Sequence, residues 1–303
     1  MDLFLVLLAG FAASLVDGAL GMGFGPTSSS ILLGTGLAPG AVSTTVNLAK
    51  VVTGIAAAIS HWRFRNIDHR LVLKLAIPGC VGAIVGVTVL SNVDADTIRP
   101  ILAVLLSVIG LRILWRFSRP IAVKAEEFED LAHDPDKMPP FDDRGTEVVA
   151  AAGGVTNGMI GAWGPVVTPF LMHRQLAPRF AVGSVNTAEV AVAAVSFTSL
   201  VATLGKGGLD VGVIVAMILG GVIAAPVAAW FVRHVPARPM SVAVAGLLLV
   251  TNASQLADWA DLGRSRWWIY GAIAALVTLA ALRPRLESHQ PLLGTDRGDP
   301  DPA

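Results

Sequence analysis

The chain has 303 residues, of which 54% are hydrophobic and 15% charged, and its mean hydropathy is +0.67. This composition excludes a soluble globular domain and indicates an all-α polytopic membrane protein in contact with the lipid bilayer. The formal net charge is zero, so nothing in the composition points to nucleic-acid binding. The single cysteine, Cys80, excludes an internal disulfide and a cysteine metal cluster.

Nine apolar segments are long enough to cross about 30 Å of hydrocarbon. In chain order they are 3–33 (interrupted), 38–60, 71–91, 97–117, 147–172 (interrupted), 179–204, 210–232, 237–256 and 267–282. The first segment is preceded by Asp2 and by no basic residue, so we expect it to be a retained span and not a signal peptide.

The polar segments between these spans predict the domain organisation. The expected units are a first transmembrane repeat at 1–117, an acidic, proline-containing cytoplasmic linker at 118–146, a second repeat at 147–256, a further C-terminal span within 257–282 and a disordered tail at 283–303.

The two halves repeat each other at a constant offset of 139 residues. The matched pairs are Gly25-Pro26 with Gly164-Pro165, Leu37-Ala38-Pro39 with Leu176-Ala177-Pro178, and Val46-Asn47 with Val185-Asn186. We therefore predict two homologous four-span repeats, eight spans plus a short ninth, with a broken helix at the start of each repeat. Such duplication in an apolar chain is the pattern of secondary transporters whose site lies between the repeats.

Basic residues in the short loops predict the orientation. They cluster between His61 and Lys74 and between Arg112 and Arg119, so we place these loops, the N-terminus and the linker in the cytoplasm. Four spans per half would make the halves parallel, unless a broken segment is a re-entrant hairpin. In the parallel arrangement four basic residues of the second half fall on the outer side: Arg174, Arg179, Arg233 and Arg238.

Each break predicts a helix N-terminus inside the membrane. Four glycines at 18, 21, 23 and 25 make a continuous helix improbable, and Pro26 suits the start of a new one. Free backbone N–H groups and the positive end of the helix dipole favour an anion there. The expected binding groups are the backbone at Gly25 and Pro26, the hydroxyls of Thr27 and Ser28, and the equivalent backbone at Gly164 and Pro165. Alternatively, these residues only permit close helix packing.

Polar residues follow each break at equivalent positions. Asn47 aligns with Asn186, and both are candidate substrate ligands or inter-helix hydrogen-bonding groups. Lys50 aligns with Glu189, and an ion pair between them would relieve two buried charges. Either Glu189 takes up a proton and frees Lys50 to bind an anion, or the pair is static, or Lys50 extends to the membrane surface. Asp17 is a candidate helix cap or a second coupling carboxylate.

No catalytic or metal-binding motif stands out. The six histidines lack metal-ligand spacing on one helix face, and HExxH, Walker and G-x-S-x-G sequences are missing. We therefore expect no enzyme activity, no cofactor and no metal site.

The chain resembles the TauE/SafE family, also called the sulfite exporter or DUF81 family. The resemblance covers residues 3 to 256. It rests on the glycine-rich break from Asp17 to Pro26, Leu37-Ala38-Pro39, the run Ser43 to Lys50, His61-Trp62-Arg63-Phe64-Arg65 with Asn66-Ile67-Asp68, and Ile77-Pro78-Gly79. One departure is that Asn47 and Lys50 stand three residues apart, where family members often have adjacent Asn and Lys.

The resemblance implies export, or in some members uptake, of small sulfur-containing anions such as sulfite, sulfoacetate or related organosulfonates. We accordingly predict an alternating-access secondary transporter in the cytoplasmic membrane whose partner is a small anionic substrate. The alternatives are an uncoupled, channel-like anion pore and a non-transporting membrane scaffold. The sequence leaves the oligomeric state open.

Overall fold

The structure is a computed structural model that describes residues 3–20, 23–118, 141–174, 176–205, 210–234 and 237–282, where every regular element is a helix. The first five helices are α1 Leu3–Leu20, α2 Phe24–Gly34, α3 Pro39–Arg63, α4 His69–Asn92 and α5 Ala95–Phe117. The other six are α6 Thr146–Ile160, α7 Gly164–His173, α8 Pro178–Leu204, α9 Val211–His234, α10 Ala237–Trp259 and α11 Arg266–Leu282. Most of the predicted linker and all of the predicted tail at 283–303 lie outside the described residues.

Six helical stretches in the described ranges are long and apolar enough to cross a membrane. They are Pro39–Arg63, His69–Asn92, Ala95–Arg116, Phe180–Leu204, Val242–Trp259 and Gly263–Leu282. The last of these contains α11, at the position of the ninth predicted span. The architecture is therefore that of an all-α polytopic membrane protein.

Both predicted interruptions are present, between α1 and α2 and between α6 and α7. α2 begins at Phe24, two residues before Pro26, and Pro26 is tolerated because the first helical residues have no intrahelical acceptor for an N–H. The Thr27 N–H donates to Gly23 O at 3.2 Å. In the second break, Gly161 has a φ of 69°, which permits the reversal of the chain.

The second broken segment turns back on itself. Asp142, shortly before α6, forms an ion pair with Arg174, which directly follows α7. In the last turn of α7, Met172 Sδ lies 3.1 Å from Nη2 of Arg116 at the end of α5. The end of α7 therefore lies beside the start of α6. We call this end of the helix bundle the linker end, because residues 141–145 lie there.

The end of α2 lies at the opposite end of the bundle. Gly36 O, just after α2, accepts a hydrogen bond from Arg99 Nη2 near the start of α5 at 3.2 Å. α5 has 23 residues and is about 34 Å long. Since α5 finishes at the linker end, its start and the adjoining end of α2 are on the far side.

The start of α1 lies at that same far end. A Cβ on Gly212, at the start of α9, would lie 3.4 Å from Leu3 Cδ2. The end of α8, which precedes α9, is at the far end as well, because Leu204 contacts Gly40 near the start of α3. We call this the N-terminal end of the bundle. The α1–α2 segment thus enters and returns at the N-terminal end, and α6–α7 enters and returns at the linker end.

Two re-entrant hairpins entering from opposite ends correct the predicted orientation. The start of α1 and residues 141–145 lie at opposite ends of the bundle, which does not fit the predicted placement of the N-terminus and the linker on one side. The same geometry does not fit the parallel arrangement of the halves and favours the alternative with re-entrant hairpins.

Glycines hold each hairpin against a long helix of the other half. α1 packs beside α9 and α6 packs beside α4. A Cβ on Gly220 of α9 would lie 2.0 Å from Leu7 O, and a Cβ on Gly82 of α4 would lie 2.0 Å from Ala151 O. This close backbone approach is typical of helix packing in membranes, where small residues at an interface increase dispersion contacts.

Candidate functional site

The tips of the two hairpins meet inside the helix bundle. A Cβ on Gly25 would lie 1.8 Å from Gly161 O, so the backbones of the two breaks are in direct contact. Ser29 Oγ, one turn into α2, donates to Ile160 O at 2.7 Å. Both breaks predicted from glycine and proline therefore belong to one site, which is formed by both halves of the chain.

Lys50 lies beside this contact, on α3. It is eleven residues from one end of the helix and thirteen from the other, or about 17 and 20 Å along the axis. Its side chain is 6% exposed. Lys50 Nζ donates to Gly161 O at 2.6 Å and to Asn157 Oδ1 at 3.0 Å, and it forms an ion pair with Glu189 of α8. An ammonium group has three N–H donors, and here three acceptors surround it.

Two asparagines form a hydrogen-bond network that positions one acceptor of Lys50. Asn157 Nδ2 donates to Asn47 Oδ1 at 2.8 Å and to Ser196 Oγ at 3.0 Å. Asn47 Nδ2 donates to Ser43 O at 2.9 Å and to Asn157 O at 3.3 Å. The network joins α3, α6 and α8 and fixes Asn157 Oδ1 towards the ammonium. Asn47 thus lies in the site.

The internal repeat of the sequence did not predict the hydrogen-bond partner of Asn47. Asn186, expected to mirror Asn47, is only half-buried on α8, and the hydrogen bonds described for Asn47 do not involve it. Asn157 takes the place beside Asn47, although the offset of 139 aligns it with Gly18. An asparagine and a serine in apolar helices were the available signals for Asn157 and Ser196, because polar groups inside a membrane need partners.

The start of α2 is already capped by a carboxylate. Asp17 Oδ1 accepts hydrogen bonds from the N–H groups of Gly23 at 2.9 Å and Phe24 at 3.2 Å. Ser28 Oγ donates within the helix, to Phe24 O at 2.5 Å. Thr27 Oγ1 is buried and has no hydrogen-bond partner in the described part of the chain. In this conformation Asp17 occupies the position expected for a bound anion at this helix start.

The start of α7 has different chemistry. α7 begins at Gly164 with Pro165 as its second residue, and the side chain of its N-cap residue, Trp163, forms no capping hydrogen bond. Thr156, which aligns with Asp17, donates to Ala162 O at 2.7 Å and carries no charge. Trp163 is fully buried and donates from Nε1 to Val185 O at 3.1 Å. At the two aligned positions the helix starts therefore differ: Asp17 places a carboxylate at the start of α2, whereas Thr156 places a neutral hydroxyl beside the start of α7.

Three ionisable side chains converge on this region. Besides the Lys50–Glu189 pair, Asp17 lies at the start of α2, whose Gly25 contacts Gly161, an acceptor of Lys50. In a medium of low dielectric such charges are stabilised by mutual pairing and hydrogen bonds. The arrangement can bind a proton on a carboxylate and present a cation to an anion. In the described ranges, no group of three His, Cys, Asp or Glu side chains is placed to hold a metal ion.

Comparisons with known proteins agree with this architecture. Residues 6–254 match the family model described as Sulfite exporter TauE/SafE. The chain is 35% identical over 275 residues to "Probable membrane transporter protein YtnM" of Bacillus subtilis (strain 168), an alignment that covers 90% of this chain and 89% of that protein. No solved structure matches the chain.

Proposed function

Because this chain belongs to the TauE/SafE sulfite exporter family of membrane transporters, we propose that it is a secondary transporter for small sulfur-containing anions. Its substrates are sulfite, sulfoacetate or related organosulfonates, which it exports across the cytoplasmic membrane by alternating access. The observation that carries the proposal is Lys50, a buried cation that donates to Gly161 O at the tip of the α6–α7 hairpin, where this tip meets that of the α1–α2 hairpin. A charged side chain at this depth in the membrane is energetically costly, so its presence there indicates a functional role.

We propose further that the two halves form an inverted repeat. The helix starts support it: α3 begins at Pro39 and α8 at Pro178, which preserves the offset of 139 residues. The packing supports it as well, because α1 beside α9 and α6 beside α4 are equivalent pairs under that offset. Inverted repeats with broken helices provide two alternative conformations around one central site, as alternating access requires.

The distribution of basic residues favours a cytoplasmic linker end. The described basic residues near that end include Arg63, Arg65, Arg70, Lys74, Arg112, Arg116, Arg144 and Arg174. Those near the N-terminal end are Arg99, Arg264 and Arg266. Two opposed hairpins also bring the arginines of the second half, which conflicted with the parallel arrangement, to the cytoplasmic side. The N-terminus is then outside the cytoplasm.

Each site residue has a role in this proposal. Lys50 supplies the positive charge that the anion contacts, and Asn47 adds an amide donor. The uncapped backbone at Gly164, preceding Pro165, supplies N–H and dipole stabilisation at the second hairpin tip. Glu189 competes with the anion for Lys50. The first hairpin tip is formed by Gly25, Pro26, Thr27 and Ser28, and an anion can reach its helix start when Asp17 moves away. Asn186 lies on the neighbouring helix α8.

Anion flux into proteoliposomes tests the proposal. The panel comprises sulfite, sulfoacetate, methanesulfonate, sulfate and chloride. We expect saturable flux of a sulfur oxyanion through the wild type, at least about tenfold lower flux through Lys50→Met, since loss of one charge-assisted contact costs about 1.5–3 kcal/mol, and normal flux through Lys74→Met. Lys74 is the matched control, because it pairs with Asp143 at the surface.

Three results would contradict the proposal. No flux of any oxyanion through folded wild type would exclude the transport function. Equal flux through Lys50→Met and wild type would exclude the role of Lys50. Flux that does not saturate and greatly exceeds carrier rates would favour a channel-like pore.

A further inference from the structure

We propose that transport is anion–proton symport, in which the Glu189 carboxylate carries one proton together with each negative charge bound at Lys50. This inference rests on the proposed function and defines its coupling. It follows from how the Lys50 ammonium is held and from the charge of its surroundings.

Lys50 has no free donor for a substrate in this conformation. Its three acceptors are a backbone carbonyl at Gly161, an amide oxygen of Asn157 and the carboxylate of Glu189. A substrate oxyanion must therefore displace one of them. The carbonyl and the amide are neutral at every physiological pH, whereas the carboxylate loses its charge when it binds a proton. Glu189 is the only acceptor whose attraction for Lys50 a proton can remove.

The charge of the cluster requires the proton and the anion to bind together. The ion pair of Lys50 and Glu189 has no net charge. Binding a monoanion alone would change the net charge of this pair to −1 in a low-dielectric interior, which is unfavourable. Binding a monoanion together with one proton leaves the net charge at zero. Proton and anion therefore favour each other's binding, which is the condition for symport; an antiporter requires them to compete.

Asp17 is not the proton carrier in this arrangement. Its carboxylate is committed to the N–H groups of Gly23 and Phe24 at the start of α2. The charged group paired with Glu189 is Lys50 from α3, and α1 carries Asp17 at the start of α2. Of the other helices packed on α8, α4 carries the Cys80 thiol at similar depth, and its basic residues lie in its first turns. The ionisable groups of α6 and α7 are at the linker end: Glu147 and His173.

The loading step conserves atoms and charge. A proton bonds to one Glu189 oxygen, the carboxylate becomes a carboxylic acid, and the ion pair with Lys50 is lost. The ammonium keeps its three protons and donates one N–H to the incoming oxyanion. Because Lys50 also holds Gly161 O at the tip of the α6–α7 hairpin, any shift of the ammonium towards the substrate loosens that tip. Substrate and proton together thereby weaken the contact between α3 and the tip of the α6–α7 hairpin.

Symport predicts the direction of coupled flux. Acid on one side of the membrane drives the anion away from that side, even against its own gradient. Net export then follows from a high internal concentration of the anion and its proton, and a steep inward proton gradient opposes it.

The test measures accumulation of radiolabelled methanesulfonate and, in separate vesicles, sulfite, with the membrane potential clamped at zero. Methanesulfonate remains ionised throughout, so only the protein can carry its proton. For wild type with acid outside we expect internal methanesulfonate to exceed its external concentration severalfold, and no accumulation with acid inside. Glu189→Gln should still exchange anion across the membrane but should lose accumulation at either pH gradient. Glu147→Gln, at an exposed glutamate of the linker end, should behave as wild type.

The outcomes separate the two proposals. Accumulation of anion inside the vesicles that is driven by acid inside would show antiport and overturn the inference. Accumulation that does not depend on the pH gradient would also overturn it. Glu189→Gln that still accumulates anion under a pH gradient would overturn the role of Glu189, and size-exclusion elution together with retained exchange shows that this variant is folded. No flux of either anion through wild type would refute the proposed function itself, and the symport with it.

Discussion

Gly25→Ala tests whether direct contact between the hairpin tips stabilises the protein. The new Cβ would lie 1.8 Å from Gly161 O, against 3.4 Å for an ordinary van der Waals contact, so the tips must separate by about 1.6 Å. Overpacking of this kind costs about 1–3 kcal/mol. The same shift stretches the 2.6 Å hydrogen bond from Lys50 to Gly161 O, which is worth about 1.5–3 kcal/mol because the donor is charged.

These terms add to about 2.5–6 kcal/mol, which for a chain of 303 residues corresponds to a Tm lower by roughly 4–9 °C. The assay is thermal unfolding of the purified protein in detergent, followed by tryptophan fluorescence. Gly34→Ala is the matched control on the same helix, because nothing lies within 4 Å of its added Cβ. Alanine at that position should leave Tm unchanged or slightly raised, since alanine favours helix by up to about 1 kcal/mol. A Tm for Gly25→Ala within about 2 °C of wild type would refute the tip contact.

Two further predictions concern charges. Lys50→Met should destabilise the protein by about 3–5 kcal/mol, because Glu189 is left without its cation. The double variant that also carries Glu189→Gln should recover at least about 1 kcal/mol of this loss. Equal unfolding temperatures for the single and double variants would contradict a coupled pair. At the linker end, the Arg144 backbone N–H, together with Arg174, lowers the pKa of Asp142. A lowered carboxyl pKa stabilises the fold above the ordinary value of about 4 and loses this effect as the pH falls through the lowered value. The Tm difference between Arg174→Gln and wild type should therefore be constant from about pH 5 to 8 and shrink below about pH 4; a difference that changes across the neutral range would assign it to another group.

Local sequence signals predicted the membrane class and the positions of the breaks. Gly-Pro pairs mark the starts of α2 and α7 to within two residues, because glycine and proline act on the backbone where they stand. The pairing of Lys50 with Glu189 was also accessible, since two opposite charges at equivalent positions of two repeats have few other ways to be neutralised in lipid.

The sequence could not predict whether each broken segment crosses the membrane or turns back to the side from which it enters. An interrupted apolar stretch of about thirty residues is compatible with one kinked crossing or with a hairpin that returns, and both have the same composition. Only contacts between distant residues decide this, such as Asp142 with Arg174 and Gly36 with Arg99. Asn157 was missed for a related reason: alignment by repeat pairs it with Gly18, whereas its partner in space is Asn47.

The sequence by itself determined that the chain folds as apolar helices, where the helices break, and which charges are buried among them. These properties depend on the hydrophobicity and backbone preference of neighbouring residues. The tertiary structure alone decided that the two hairpins enter from opposite ends and that Lys50 is held by Gly161 O, Asn157 and Glu189 at once. Those facts depend on close approach between segments more than a hundred residues apart, which no local pattern records.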